Sequence, residues 1–139
     1  MKNSEKKEIQ ISTERLHLEV LSMKYVQEIF KEFTDEVTKT LRSSTPKAIE
    51  EEEERVRRSA EKFKQGTEVN FTVADKEGNF IGCCGIMHLH TRTPELGLRL
   101  KQSARGQGYG KEMIGALIKR IQEHREFDYI VYRAKTDNF

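Results

Sequence analysis

From Arg105 to Lys111 the chain reads Arg-Gly-Gln-Gly-Tyr-Gly-Lys, with glycine at 106, 108 and 110. Glycine lets a backbone approach a ligand closely, and the first N–H groups of a helix point outward without intrahelical partners. The strand-like run Glu95 to Leu100 precedes these glycines. An amphipathic helix follows, from about Tyr109 to Arg125, with Met113, Ile114, Leu117, Ile118 and Ile121 inward. A glycine loop that opens a helix is an anion site, best suited to phosphate or pyrophosphate. Arg105 and Lys111 flank it and can add positive charge. Two common nucleotide loops fail on spacing. A P-loop needs four residues between Gly and Gly-Lys, then Ser or Thr; here Gly106 and Gly110 enclose three, and Glu112 follows. A dinucleotide GxGxxG needs a glycine where this chain has Lys111 or Met113. Three alternating glycines after an arginine also exceed what a tight turn requires.

The other chemistry-bearing residues say less. His88 and His90 lie two apart on one expected strand, which puts both on one face, where they would be structural or line a substrate. Two histidines are too few to argue for a metal, and none is expected. His17 and His124 read as surface positions. Cys83 and Cys84 are the only cysteines and are adjacent. A bridge between neighbours on a strand would distort the backbone. They lack a CxxC spacing or a triad-like setting, so buried, reduced thiols are expected.

The elements that position this loop follow from hydrophobic periodicity. Residues 1–10 are polar and expected to fray. Leu16, Leu18 and Val20 alternate with His17 and Glu19, which predicts a half-buried strand. Ser22 can cap a helix with Tyr25, Val26, Ile29, Phe30 and Phe33 on its apolar face. Thr45-Pro46 suits the opening of a second helix that stops near Gly66. The acidic run Glu50–Glu54 is read as its solvated face rather than a cation or partner site. Val69 to Ala74, a turn at Gly78, and Phe80 to His88 predict a hairpin, and Asp128 to Ala134 a last strand. The order β-α-α-β-β-β-α-β predicts one α+β (mixed α/β) domain with a largely antiparallel sheet.

Twenty-five Lys and Arg oppose 23 Asp and Glu, leaving a net charge of +2. That supplies no broad field for nucleic acid or an anionic membrane, and neither partner is expected. No run reaches the roughly 18 apolar residues of a membrane helix, and no apolar stretch follows the charged start, so a cytoplasmic protein is expected.

Arg105-x-x-Gly108-x-Gly110 resembles the Q/R-x-x-G-x-G/A acetyl-coenzyme A loop of the GCN5-related N-acetyltransferase (GNAT) superfamily. Thr13-Glu-Arg-Leu-His-Leu, Glu95-Leu-Gly-Leu-Arg-Leu and Tyr132-Arg-Ala-Lys-Thr-Asp-Asn138 fall in the order expected of its RimJ/RimL-like branch, the ribosomal-protein N-terminal acetyltransferases. The resemblance covers almost the whole chain. It implies acetyl-coenzyme A as cosubstrate and a primary amine as acceptor, at a protein N-terminus or on a small molecule. It places the coenzyme pyrophosphate on N–H groups from Gln107 through Gly108, Tyr109 and Gly110 to Lys111, beside Arg105 and Gly106. The pantetheine arm pairs with Leu98 to Leu100, Gly97 forms a bulge that makes room for it, and Leu98 N–H polarises the thioester carbonyl. Asn138 matches an asparagine that contacts the coenzyme. Glu95 sits where related enzymes often carry an acid; it is the base that takes the amine's proton, directly or through water, or else an exposed strand residue or a partner for Arg99.

The family usually continues with a helix and two strands, which do not follow in this sequence of 139 residues, either because the protein ends at Phe139 or because the sequence is a piece of a longer one. The edge so exposed is expected to favour association, a homodimer included, strand exchange or low stability. Loss of that part of the site also leaves open a different reading, a non-catalytic acyl-coenzyme A-binding or interaction module.

Overall fold

The computed structural model describes residues 9–41 and 46–132. Six strands form one sheet in the order β1 to β6: Gln10–Ser12, Leu16–Val20, Glu68–Asp75, Phe80–Met87, Glu95–Leu100 and Val131–Tyr132. Neighbours pair antiparallel except β5 and β6, which are parallel. Parallel neighbours need a crossover, and helix α3, Tyr109–His124, supplies it. Helices α1, Val26–Leu41, and α2, Pro46–Gln65, connect β2 to β3. The mixed α+β plan is as the sequence predicts.

Strand alternation sorts the side chains into two layers. Leu16 and Leu18, Val69, Phe71 and Val73, Cys84 and Ile86, and Leu96, Leu98 and Leu100 form one buried face. They pack with Met113, Ala116, Leu117 and Ile121 of α3. Phe71 is 1 % exposed, and truncating so large a side chain in a packed core costs about 3–5 kcal/mol. On α1, Ile29 and Phe33 meet Phe80 in a smaller cluster, with the Phe33 and Phe80 rings edge to face 6.2 Å apart. Glu52, Val56 and Ser59, at helical spacing, are the buried stripe of α2.

Several expectations are corrected. Gln10 is paired opposite Glu19 in a short edge strand rather than frayed; residues 1–8 lie outside the described residues. The Ser22 hydroxyl accepts from Lys24 N–H and caps a single 3-10 turn, after which α1 starts at Val26. Thr45 lies outside the described residues, but α2 does start at Pro46. Glu52 turns inward instead of joining a wholly solvated acidic face. β4 ends at Met87, and His88 takes a left-handed φ of 57°. His88 and His90 therefore do not share a strand face. Gly97 forms no bulge against β4, because the register from Glu95 to Leu100 is unbroken. The one shift falls in the β3–β4 pair at Val73/Ala74. Within the described residues the last strand is Val131–Tyr132, not a run from Asp128.

Candidate functional site

At the C-terminal end of β5 the chain makes a 3-10 turn, Gln102–Ala104, and then the glycine loop. Gly106 and Gly108 have φ values of 79° and 84°, a left-handed backbone that side chains with a Cβ rarely adopt. Gly108 caps α3, and the first intrahelical bond is donated by Glu112 N–H to Gly108 O at 3.2 Å. The N–H groups of Tyr109, Gly110 and Lys111 precede that bond and carry the positive end of the helix dipole. Gly106, Gln107 and Gly108 are exposed, whereas Gly110 is buried within the first helical turn. The predicted cradle residues thus run from an exposed loop into the first turn of α3, with Lys111 exposed and Arg105 half-buried.

A cluster that the sequence does not reveal holds this loop. The Arg15 Nε donates to Glu112 Oε1 at 2.8 Å, and Arg15 N–H to Glu112 Oε2 at 2.8 Å. The Thr13 hydroxyl donates to the same carboxylate. Arg15 Nη1 reaches Gln107 O at 3.0 Å, and its guanidinium lies 4.4 Å from the Tyr109 ring centroid. A carboxylate in the first turn of α3 would repel an anion bound there; Arg15 neutralises it and ties the loop to the β1–β2 turn. Burial pushes the Glu112 carboxyl up, but the hydrogen bonds from Thr13 and Arg15 outweigh it and hold the group below its ordinary range. Arg15 and Glu112 are 97 residues apart, so no local pattern announces the pair.

The strand beside the loop is oriented by its hydrogen bonds. Val131 N–H donates to Pro94 O at 2.9 Å on the β6 side, and Lys101 N–H to Ile81 O at 3.0 Å on the β4 side. Backbone groups alternate sides along a strand, so Leu98 and Leu100, like Pro94, turn their N–H and C=O toward the side of β6. Among the described residues, β6 pairs only with Glu95 and Leu96.

Glu95 opens β5, and its Oε1 lies 3.8 Å from His88 Nε2. Its side chain shares a sheet face with Gly97, Arg99 and Cys83, opposite α3. Arg99 stacks over Phe33 at 4.0 Å. On this face α1, α2 and the sheet enclose a cavity of about 540 Å³. A smaller one of about 280 Å³ lies at the far end of α3, by Ile121 and His124. Asn138 lies outside the described residues.

The cysteines are held as thiols. Burial pushes Cys83 up to about 12, more than Arg99 nearby brings it down; Cys84 is raised well above its ordinary value by burial. At pH 8 a thiol of pKa about 12 is ionised to roughly one part in 10⁴. Cys83 is half-buried and lines the cavity, so Ellman's reagent at that pH should react with it slowly and with buried Cys84 only once the chain is unfolded; rapid reaction of Cys83 in the folded chain would contradict its raised pKa.

A family model described as acetyltransferase (GNAT) domain matches residues 15–139. Among curated protein sequences none matches the chain. Solved structures with the same fold include a RimL ribosomal L7/L12 alpha-N-protein acetyltransferase in complex with coenzyme A. It is 16% identical with a TM-score of 0.76, and the match covers 94% of this chain and 77% of that one. The ribosomal-protein-S5-alanine acetyltransferase from Vibrio fischeri is 15% identical with a TM-score of 0.65, over 84% of this chain and 68% of that one. The microcin C7 self immunity acetyltransferase MccE, in complex with acetyl-CoA and AMP, is 16% identical with a TM-score of 0.73, over 91% and 73%. No helix among the described residues is long and apolar enough to cross a membrane.

Proposed function

The chain belongs to the GNAT acetyltransferase family, and on that premise we propose that its acceptor is a protein N-terminal amine, acetylated in the cytoplasm by this single domain. It is an acetyl-CoA-dependent acyltransferase. The observation that carries the residue assignments is the left-handed pair Gly106 and Gly108 opening α3 beside β5.

On this reading the coenzyme pyrophosphate rests on N–H groups from Gln107 to Lys111, with Arg105 and Lys111 adding charge. The pantetheine arm lies along Leu98 and Leu100, whose backbone groups face the side it would occupy. Acetyl-CoA brings an activated acetyl carbonyl, and the chain binds it, orients it and handles the proton. Leu98 N–H stabilises the charge that develops on the carbonyl oxygen. Glu95 would take one proton from the ammonium, leaving the neutral amine nitrogen to form the C–N bond. When the C–S bond then breaks, the departing coenzyme sulfur would take up the second proton given up by that nitrogen and leave as the thiol. That the RimL structure is named an alpha-N-protein acetyltransferase, and the Vibrio fischeri one for an alanine of ribosomal protein S5, favours a protein acceptor over a small amine.

Titrating the 139-residue chain with acetyl-CoA, and following release of free coenzyme with N-terminal peptides present, tests the reading. Binding with peptide-dependent turnover supports it. Binding without turnover of any amine would make the chain a coenzyme-binding module instead.

The clamp on the loop gives two further expectations. Glu112→Ala should raise the KM for acetyl-CoA about tenfold with kcat nearly unchanged, the size of one or two charge-assisted hydrogen bonds. Because the Glu112 carboxyl is held below its ordinary 4.5 in the folded chain, the clamp's contribution is complete above that pH. It is lost as pH falls through the lowered value. Acetyl-CoA affinity in wild type should therefore fall at that acid edge, and Glu112→Ala should lack that step.

A further inference from the structure

The smaller cavity, about 280 Å³, lies at the end of α3 away from the glycine loop. Its walls are Phe63 of α2, Val69 and Phe71 of β3, Ile86 of β4 and Ile121 of α3. The last four are each at most 6% exposed, so the space reaches into the core rather than over the surface. Packed interiors hold few voids larger than a water molecule. An apolar cavity suits an apolar guest, because water finds too few hydrogen-bond partners on its walls.

The charged and titratable side chains on its lining are Arg120, His124 and Arg125, with no carboxylate among the described residues there. Cations near a helix C-terminus offset its partial negative charge, and Arg125 is already engaged: its N–H donates to Ile121 O at 2.9 Å and its Nη1 to Leu89 O at 2.8 Å. Arg120 differs. It lies a turn earlier in α3, is half-buried, and makes no hydrogen bond, ion pair or ring contact with a described residue. Glu123 shares a separate groove with it beside β1 but forms no ion pair with it. A half-buried guanidinium without a counter-ion, set against an apolar cavity, is complementary to an amphipathic anion.

We propose that this cavity binds a monocarboxylate carrying a medium-length alkyl chain, with the chain against Phe63, Phe71 and Ile121 and the carboxylate on Arg120. A guanidinium meets a carboxylate through two parallel N–H bonds, and His124, one turn on and exposed, offers a further donor. The volume falls just below the roughly 300–1,000 Å³ of drug-sized sites, which keeps the ligand small. The site is separate from the glycine loop, so it stands or falls independently of the coenzyme and acceptor assignments.

The test is calorimetric titration of the 139-residue chain with octanoate, octanol and octylamine, each with and without coenzyme A. Octanoate should bind about tenfold more tightly than octanol, the size of one charge-assisted contact. Octylamine should bind most weakly, and coenzyme A should displace none of them. Arg120→Gln should lose the tenfold advantage of octanoate while octanol binds as before; a folding defect would weaken both. Lys119→Gln, on the same helix but outside this lining, should change neither. Absence of octanoate binding, equal binding of octanoate and octylamine, an unchanged octanoate affinity in Arg120→Gln, or displacement by coenzyme A overturns the inference.

Discussion

Gly108→Val should abolish measurable acetyl-CoA binding in a chain that remains folded. Gly108 has a φ of 84° and caps α3, and a Cβ there would lie 3.4 Å from Arg15 Nη2, an ordinary contact. Crowding within the protein is therefore not the main penalty. A left-handed conformation costs an L-residue about 1–2 kcal/mol, and more when it is β-branched. The loop escapes that cost by turning its peptide planes, which points the N–H groups of Gln107 to Tyr109 away from the anion. A side chain on an exposed residue would also occupy the surface that the phosphates approach. Together these should weaken binding by about a hundredfold or more, near 3 kcal/mol. Gly115→Ala is the control. It sits within α3 with nothing within 4 Å of a new Cβ, so binding should persist, with stability raised by up to about 1 kcal/mol. Calorimetry with circular dichroism on both variants decides. An unchanged dissociation constant in Gly108→Val would show that the phosphates do not lie on this loop.

Glu95→Gln should lower kcat by about a hundredfold while leaving the KM for acetyl-CoA unchanged, the scale of a lost general base. The loss should be greatest below the acceptor's pKa, about 8 for an α-amine. It should narrow as pH rises and the amine arrives neutral. His88 Nε2 is 3.8 Å from the Glu95 carboxylate and lies on a residue with left-handed backbone. Wild-type turnover in Glu95→Gln, with the loss appearing in His88→Ala, would move the base to the imidazole.

Much of this architecture was legible in one dimension, and the exceptions have physical causes. Leu16, Leu18 and the even positions of β5 bury as their alternation requires, and the inward stripe of α3 follows a 3.6-residue period. A short edge element carries little pattern of its own: Gln10–Ser12 is three residues long and is stabilised by its partner strand. The apolar run Phe80 to His88 does not reveal that β4 ends at Met87, where the backbone turns left-handed at His88. Glu52 looked like one of five solvated glutamates, yet helical phase turns it, with Val56 and Ser59, toward the sheet.

By itself the sequence determined the glycine loop, its place between a strand and an amphipathic helix, the kind of anion it suits and the family resemblance. Each of these rests on neighbours a few residues apart, where backbone geometry is local. Only the tertiary structure decided that Arg15 and Thr13 hold Glu112 and the loop, that Glu95 sits beside His88, and that four basic side chains converge on one cavity. Those contacts join strands and helices distant in the chain. Their partners are chosen by strand register and helix packing, which side-chain spacing along the sequence does not encode.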